Sequence, residues 1–149
     1  MITSIVFSKN RPLQLDLCLN SIKKNLPECV HTTVIHKNSE GFASAHETLE
    51  REHSGVSFCQ QGRSIFRNTL ESVISADTDY VCFLTDDDIV FSDATTQYQL
   101  LQNGDDVTCV SLRMGLNICE RYNSGVLSKD VPYEVGELEG GDIVWDRTV

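Results

Sequence analysis

The run Tyr80-Val81-Cys82-Phe83-Leu84-Thr85 leads straight into three consecutive aspartates, Asp86, Asp87 and Asp88, and then into Ile89-Val90-Phe91. Neighbouring carboxylates repel one another, and aspartate is disfavoured in strands, so an apolar strand ending this way calls for something cationic beyond it. The apolar run reads as a central parallel strand covered on both faces. In open α/β sheets ligands bind outside the carboxyl ends of such strands. Oxygen ligands there suit a hard divalent ion, Mn2+ or Mg2+, which keeps coordination positions for substrate phosphates. The competing reading is a solvated acidic loop whose aspartates cap the next helix.

The rest of the chain supports a layered fold. Thr3 to Phe7 is a strand, Ser8-Lys9-Asn10-Arg11 a turn, and Pro12 a first helical residue, with Leu15, Cys18, Leu19, Ile22 and Leu26 at helical spacing until Pro27. Thr32 to Ile35 and Val56 to Cys59 read as further strands. A helix through Phe42, Ala45 and Leu49 lies between them, and a helix from Ser64 to Ala76 carries Phe66, Leu70, Val73 and Ile74 on one face. This alternation predicts an α/β fold, a mostly parallel central sheet with helices on both faces. Beyond the aspartates, Ser92 or Asp93 caps a helix through Ala94, Tyr98 and Leu101 that ends near Asn103-Gly104, and Val107 to Leu112 is the next strand. A turn at Asn123-Ser124-Gly125 and short strands at Tyr133 to Leu138 and Ile143 to Trp145, flanking Gly140-Gly141, make a short β-rich C-terminal region.

At 149 residues the chain reads as a single domain. Its 22 acidic against 12 basic residues, a formal charge of −10, exclude a nucleic-acid phosphate tracker. An anionic ligand therefore needs local help, from a metal at Asp86 to Asp88 and from Lys9, Arg11, Arg63 and Arg67. The N-terminus lacks the pattern of a signal peptide, and no window approaches the ~20 apolar residues of a membrane span, so the expectation is a cytoplasmic protein. The six cysteines, Cys18, Cys29, Cys59, Cys82, Cys109 and Cys119, form no C-x-x-C pair and read as reduced structural thiols.

With these residues laid out, the chain resembles the nucleotide-diphospho-sugar glycosyltransferases of the GT-A fold, especially family-2-like members. Ile5 to Pro12 looks like their opening strand and Asn-Arg turn, with Leu15, Leu19, Ser21 and Ile22 matching the helix behind it. Gly62, Arg67 and Asn68 resemble their third element, and Asp86-Asp87-Asp88 their DxD signature. The resemblance covers a nucleotide-sugar-binding half, residues 1–112. Residues 113–149 correspond to part of an acceptor-side region.

The resemblance implies transfer of a sugar from a nucleotide-diphosphate sugar to an acceptor, whether saccharide, lipid or protein, in a step that uses Mn2+ or Mg2+. It places Asp86 toward the ribose and the metal and Asp88 on the metal, with Asp87 able to exchange roles with either. Ser8, Asn10, Arg11, Arg67 and Asp87 line the donor pocket. Where many relatives end the second strand in a base-reading Asp, this chain has His36 and Asn38, each able to contact a base, and a solvent-facing loop His is the other reading of His36. Glu137, Glu139, Asp142 and Asp146 are the carboxylates after Leu112, and Asp142 is the candidate general base. Two alternatives stand beside a transferase. One is a non-catalytic nucleotide-binding or interaction module with the same fold. The other is a nucleotidyltransferase, for which a glycine-rich phosphate loop is missing between Ser8 and Pro12. Unpartnered final strands also suit pairing with a second copy, a homodimer.

Overall fold

The computed structural model describes residues 1–27, 29–62, 64–91, 93–103, 110–115, 135–137 and 142–145. They gather into two units, residues 1–93 and residues 94–149. The first alternates strand and helix. It runs β1 (Ile2–Lys9), α1 (Pro12–Asn25), β2 (Cys29–Lys37), a 3₁₀ turn (Glu40–Phe42) into α2 (Ala43–Glu52), β3 (Ser57–Gln60), α3 (Ile65–Ser75) and β4 (Tyr80–Thr85).

The four strands form one all-parallel sheet in the order β3-β2-β1-β4. The chain winds from β1 outward through β2 to β3 and then returns to the other side of β1. Register sets Val6 between Val34 and Leu84, and Ile5 between Thr33 and Phe83. Val6, Val34 and Leu84 share a face with Ser8 and His36, and that face receives α1 and α2. Leu15, Cys18, Leu19 and Ile22 of α1 and His46 and Leu49 of α2 are buried there. Helix α3 reaches the opposite face, where Asn68 contacts the Cys59 thiol beside Ile35.

Pro12 starts α1 because its missing N–H is one the first turn does not need and its fixed φ suits a helix. The Arg11 carbonyl accepts the first helical bond, from the Leu15 N–H at 3.0 Å. Lys23 and Lys24 sit in the last turn, where the helix dipole favours positive charge. Asn25 donates to the Val90 carbonyl. Ser21 Oγ donates to the Cys18 carbonyl at 2.7 Å and accepts the Val90 N–H at 3.0 Å, so α1 anchors the segment after the aspartates.

One sequence expectation is corrected within this unit. Strand β4 is not a central strand covered on both faces: among the described residues it pairs with β1 alone, and Phe83 is 53% exposed, its ring stacked on Phe7 at 6.4 Å between centroids. The interior positions belong to β2 and β1, and β1 is almost wholly buried. The apolar stripe of α3 is likewise open, with Phe66 and Ile74 both exposed.

The second unit holds α4 (Thr95–Asn103) and an antiparallel sheet, β5 (Val110–Gly115), β6 (Val135–Glu137) and β7 (Asp142–Trp145), in the order β5-β7-β6. Asp142 pairs with Gly115, and Glu137 with Ile143. Arg63, Ser92, Gly104, residues 107–109, Cys119, the Asn123-Ser124-Gly125 turn, Glu139, Gly140-Gly141 and Asp146 lie outside the described residues. Among the described residues no helix is long and apolar enough to cross a membrane. Cys18, Cys29, Cys59 and Cys82 are free thiols.

Ser21→Ala is expected to lower unfolding stability by about 1–3 kcal/mol, because it strands the buried Val90 N–H. The exposed Ser54→Ala control should stay within about 0.5 kcal/mol. Urea unfolding with unchanged slope checks both.

Candidate functional site

The carboxyl ends of β1, β2 and β4 bring together most of the residues singled out from the sequence. The Asp86 N–H donates to the Phe7 carbonyl at 3.0 Å, extending the β1–β4 ladder by one step and setting Asp86 beside Ser8. Asp86 is only 5% exposed. Such a group must be paired, and it is. Oδ2 accepts from Ser8 Oγ at 2.9 Å and from the Lys9 N–H at 3.2 Å, and Oδ1 faces Arg11 Nη1 at 3.4 Å.

Asp87 turns outward. Its Oδ2 shares Arg11 Nη1 at 3.4 Å, and its Oδ1 lies 2.7 Å from Thr85 Oγ1. The Thr85 hydroxyl, aided by Arg11, holds the Asp87 carboxyl below the usual carboxylate range. Asp88 folds back in a tight turn: its N–H donates to the Thr85 carbonyl at 2.9 Å, and its Oδ2 accepts the Thr85 N–H at 2.7 Å. Thr85 Oγ1 is also 2.8 Å from Asp88 Oδ2. A threonine hydroxyl has one proton, so it can serve only one of the two carboxylates that meet on it.

Beneath them, Cys18 points its thiol at the Thr85 carbonyl, 3.6 Å away. Burial, reinforced by the charges of Asp88 and Asp86, pushes that thiol up to about 12, and burial raises Cys82 to about 12 as well. Neither is a nucleophile at neutral pH.

The β1–α1 turn is tied to the β2–α2 connection. Asn10 sits in the left-handed region with φ 56°, which asparagine tolerates better than most residues. Its Oδ1 accepts from the Ser39 N–H at 2.7 Å and from Ser39 Oγ at 3.2 Å. Next to Ser8 across the sheet lies His36. Here the solvent-facing reading fails: His36 is a buried residue of β2, not a loop histidine. Its ring stacks on His46 of α2 with centroids 5.1 Å apart, meets Phe58 edge-on at 6.1 Å, and takes the Asn38 amide at 2.7 Å. Burial lowers both imidazoles below their ordinary value, against an opposing pull from Glu50.

Arg67 is exposed on the first turn of α3, apart from this network, and Asp142 belongs to the second unit. Sequence reasoning missed Thr85, His46 and Glu50. The signal for His46 was present: it follows Phe42 by one helical turn and precedes Leu49 by another, so it lies on the apolar face of α2.

Among the described residues no group of three or more His, Cys, Asp and Glu side chains gathers as a metal centre. The donor set still suits a hard ion of the Mg2+ class, which takes one or two protein carboxylates and fills its other positions with water and phosphate oxygens. Asp87 and Asp88 supply two such carboxylates meeting on one hydroxyl, and Asp87 is open to solvent, whereas Asp86 is buried with both oxygens facing donors from β1 and Arg11. Compared with protein-family models, curated proteins and solved structures, the chain has no match.

Asp86→Ala is expected to cost about 1–3 kcal/mol of stability, since it strands Ser8 Oγ and the Lys9 N–H. Asp87→Ala, at an exposed carboxylate, should change it by less than about 0.5 kcal/mol. Denaturant unfolding of the two variants side by side tests the difference.

Proposed function

We propose that this chain is a metal-dependent glycosyltransferase of the GT-A kind, which binds a nucleotide-diphosphate sugar at the carboxyl edge of β1, β2 and β4. One observation carries the reading. The aspartate trio stands where the winding reverses between β1 and β4, the switch point at which open α/β sheets take their ligands.

In this reading Asp86 is the anchor that fixes the loop, and Asp87 and Asp88 hold Mn2+ or Mg2+. When bound, that ion offsets the charge growing on the nucleoside diphosphate as the sugar's anomeric carbon leaves it. Arg11 uses only Nη1 in the bonds described, so its other N–H groups are available to phosphate oxygens. Ser8 and His36 flank the floor of the edge, and Asn38 and Asn10 its rim. The bond from the anomeric carbon to the phosphate oxygen breaks, one to the acceptor hydroxyl oxygen forms, and the hydroxyl proton passes to a base. The acceptor is a saccharide, lipid or protein hydroxyl.

Calorimetry with UDP, GDP, CDP and their sugars, with and without Mn2+, tests this. At least one nucleotide should bind, and its affinity should fall roughly tenfold or more both without metal and in Asp88→Ala. No nucleotide binding, or binding indifferent to Asp88→Ala, overturns the reading. Binding with neither transfer nor donor hydrolysis turns it into a non-catalytic module.

A further inference from the structure

The connection between β2 and α2 contains polar atoms that a donor site leaves without work. His46 is 2% exposed, yet neither of its ring nitrogens has a hydrogen-bond partner, and Asn38 Oδ1 is buried without one too. A neutral imidazole carries one N–H to donate and one lone pair to fill, and burying both unmet costs free energy. His36 completes the arrangement. Its Nδ1 accepts from Asn38 Nδ2 at 2.7 Å, which leaves the ring proton on Nε2, and Nε2 stands 3.8 Å from Glu50 Oε1, beyond hydrogen-bond range.

The geometry narrows what can occupy the stack. The two rings are within 11° of parallel and 5.1 Å apart, so their in-plane lone pairs do not converge on a common point, and one ion cannot be shared between them. A ring this buried admits no larger solute. The ligand that fits is a proton.

We propose that the His36–His46 stack is a proton-operated latch, which closes the β2–α2 connection when both rings are neutral and releases it when a proton enters. The proton that charges His36 goes to Nδ1, the atom to which Asn38 now donates, so two N–H groups come to face each other. A charge on either ring also repels one on the other at 5.1 Å. Asn38 and Ser39 then leave together, and the Ser39 N–H gives up Asn10 Oδ1, its acceptor at 2.7 Å. The far end of the latch is therefore the turn that precedes Arg11.

The direction with pH follows from the charges around the pair. Burial keeps both rings neutral in the closed form, while an opened, hydrated pair returns toward the ordinary imidazole value of about 6.5. The open form thus takes up protons first, and falling pH through that value favours it; raising the pH closes the latch. Glu50 from α2 and Asp86 from the end of β4 pull the other way, and Phe58 from β3 brings no charge.

The latch does not depend on the donor reading, because its readout needs no nucleotide. In the full chain, amide exchange at Ser39, corrected for the intrinsic pH dependence, is followed by NMR between about pH 7.5 and about pH 5. It should speed up by roughly tenfold or more relative to amides of β1, with both histidine rings titrating over the same range. His46→Phe, which keeps a flat ring on His36 but binds no proton, should reduce that response severalfold. Glu50→Gln, which removes a carboxylate favouring the charged rings, should move its midpoint to lower pH. Should His46→Phe fail to fold, the wild-type exchange and Glu50→Gln decide. The latch is overturned if Ser39 stays protected while the rings titrate, as when Asn38 merely turns its amide over to offer Oδ1. It is equally overturned if His46→Phe responds like the wild type.

Discussion

A carboxylate as enclosed as that of Asp86 is tolerated only because the end of β1 arrives with donors already aimed at it, the Ser8 hydroxyl, the Lys9 N–H and the Arg11 guanidinium. The partners are more than seventy positions apart in the chain, so the contact exists only once β1 and β4 have paired in register. Arg11 also hands its carbonyl to the first turn of α1. Charge neutralisation, strand register and helix start thus meet in one short stretch, Ser8 to Arg11. Disturbing any of them loosens the other two, so the aspartate loop is part of the sheet's framework.

Much of this was legible in the sequence, and what was not has physical reasons. Pro12, the apolar spacing of Leu15, Cys18, Leu19 and Ile22, and the β-branched run before Ser8 mark β1 and α1, since local propensity and burial agree there. The rank of β4 in the sheet was not legible. A strand needs an apolar run whether one neighbour pairs with it or two, and Phe83 looks the same in sequence whether buried or open. The aspartate trio announced itself, but not which carboxylate turns inward. That is settled by a serine from a distant strand, while Asp87 and Asp88 are sorted by Thr85 within the turn. The solvent-facing reading of His36 fails because polar residues after an apolar strand usually mark its end, whereas β2 runs on to Lys37.

The exposed stripe of α3 teaches the converse. Periodicity states that Phe66, Leu70 and Ile74 share a helical face; whether that face is covered depends on what lies opposite. Helix α3 meets the sheet mainly near β2 and β3, through Asn68 and Cys59, and leaves Phe83 of β4 open on the same side.

Two electrostatic regimes lie side by side along the carboxyl edge, and the difference between them is solvent. Outward, Asp87 keeps its charge because water, a hydroxyl and a guanidinium all favour the ionised form. Inward, burial disfavours the charged forms of His36 and His46 more than Glu50, 3.8 Å from His36 Nε2, favours them. An anion approaching a chain of net charge −10 therefore finds few fixed positive charges at this edge, Arg11 foremost among them. Arg11 can meet the anion without abandoning the aspartates, since a guanidinium presents several N–H groups in a plane while a single nitrogen bridges Asp86 and Asp87. A lysine in its place would present one nitrogen to carboxylate and phosphate alike, without the planar fork. The bridging Arg11 Nη1 explains how a loop of like charges is held in place.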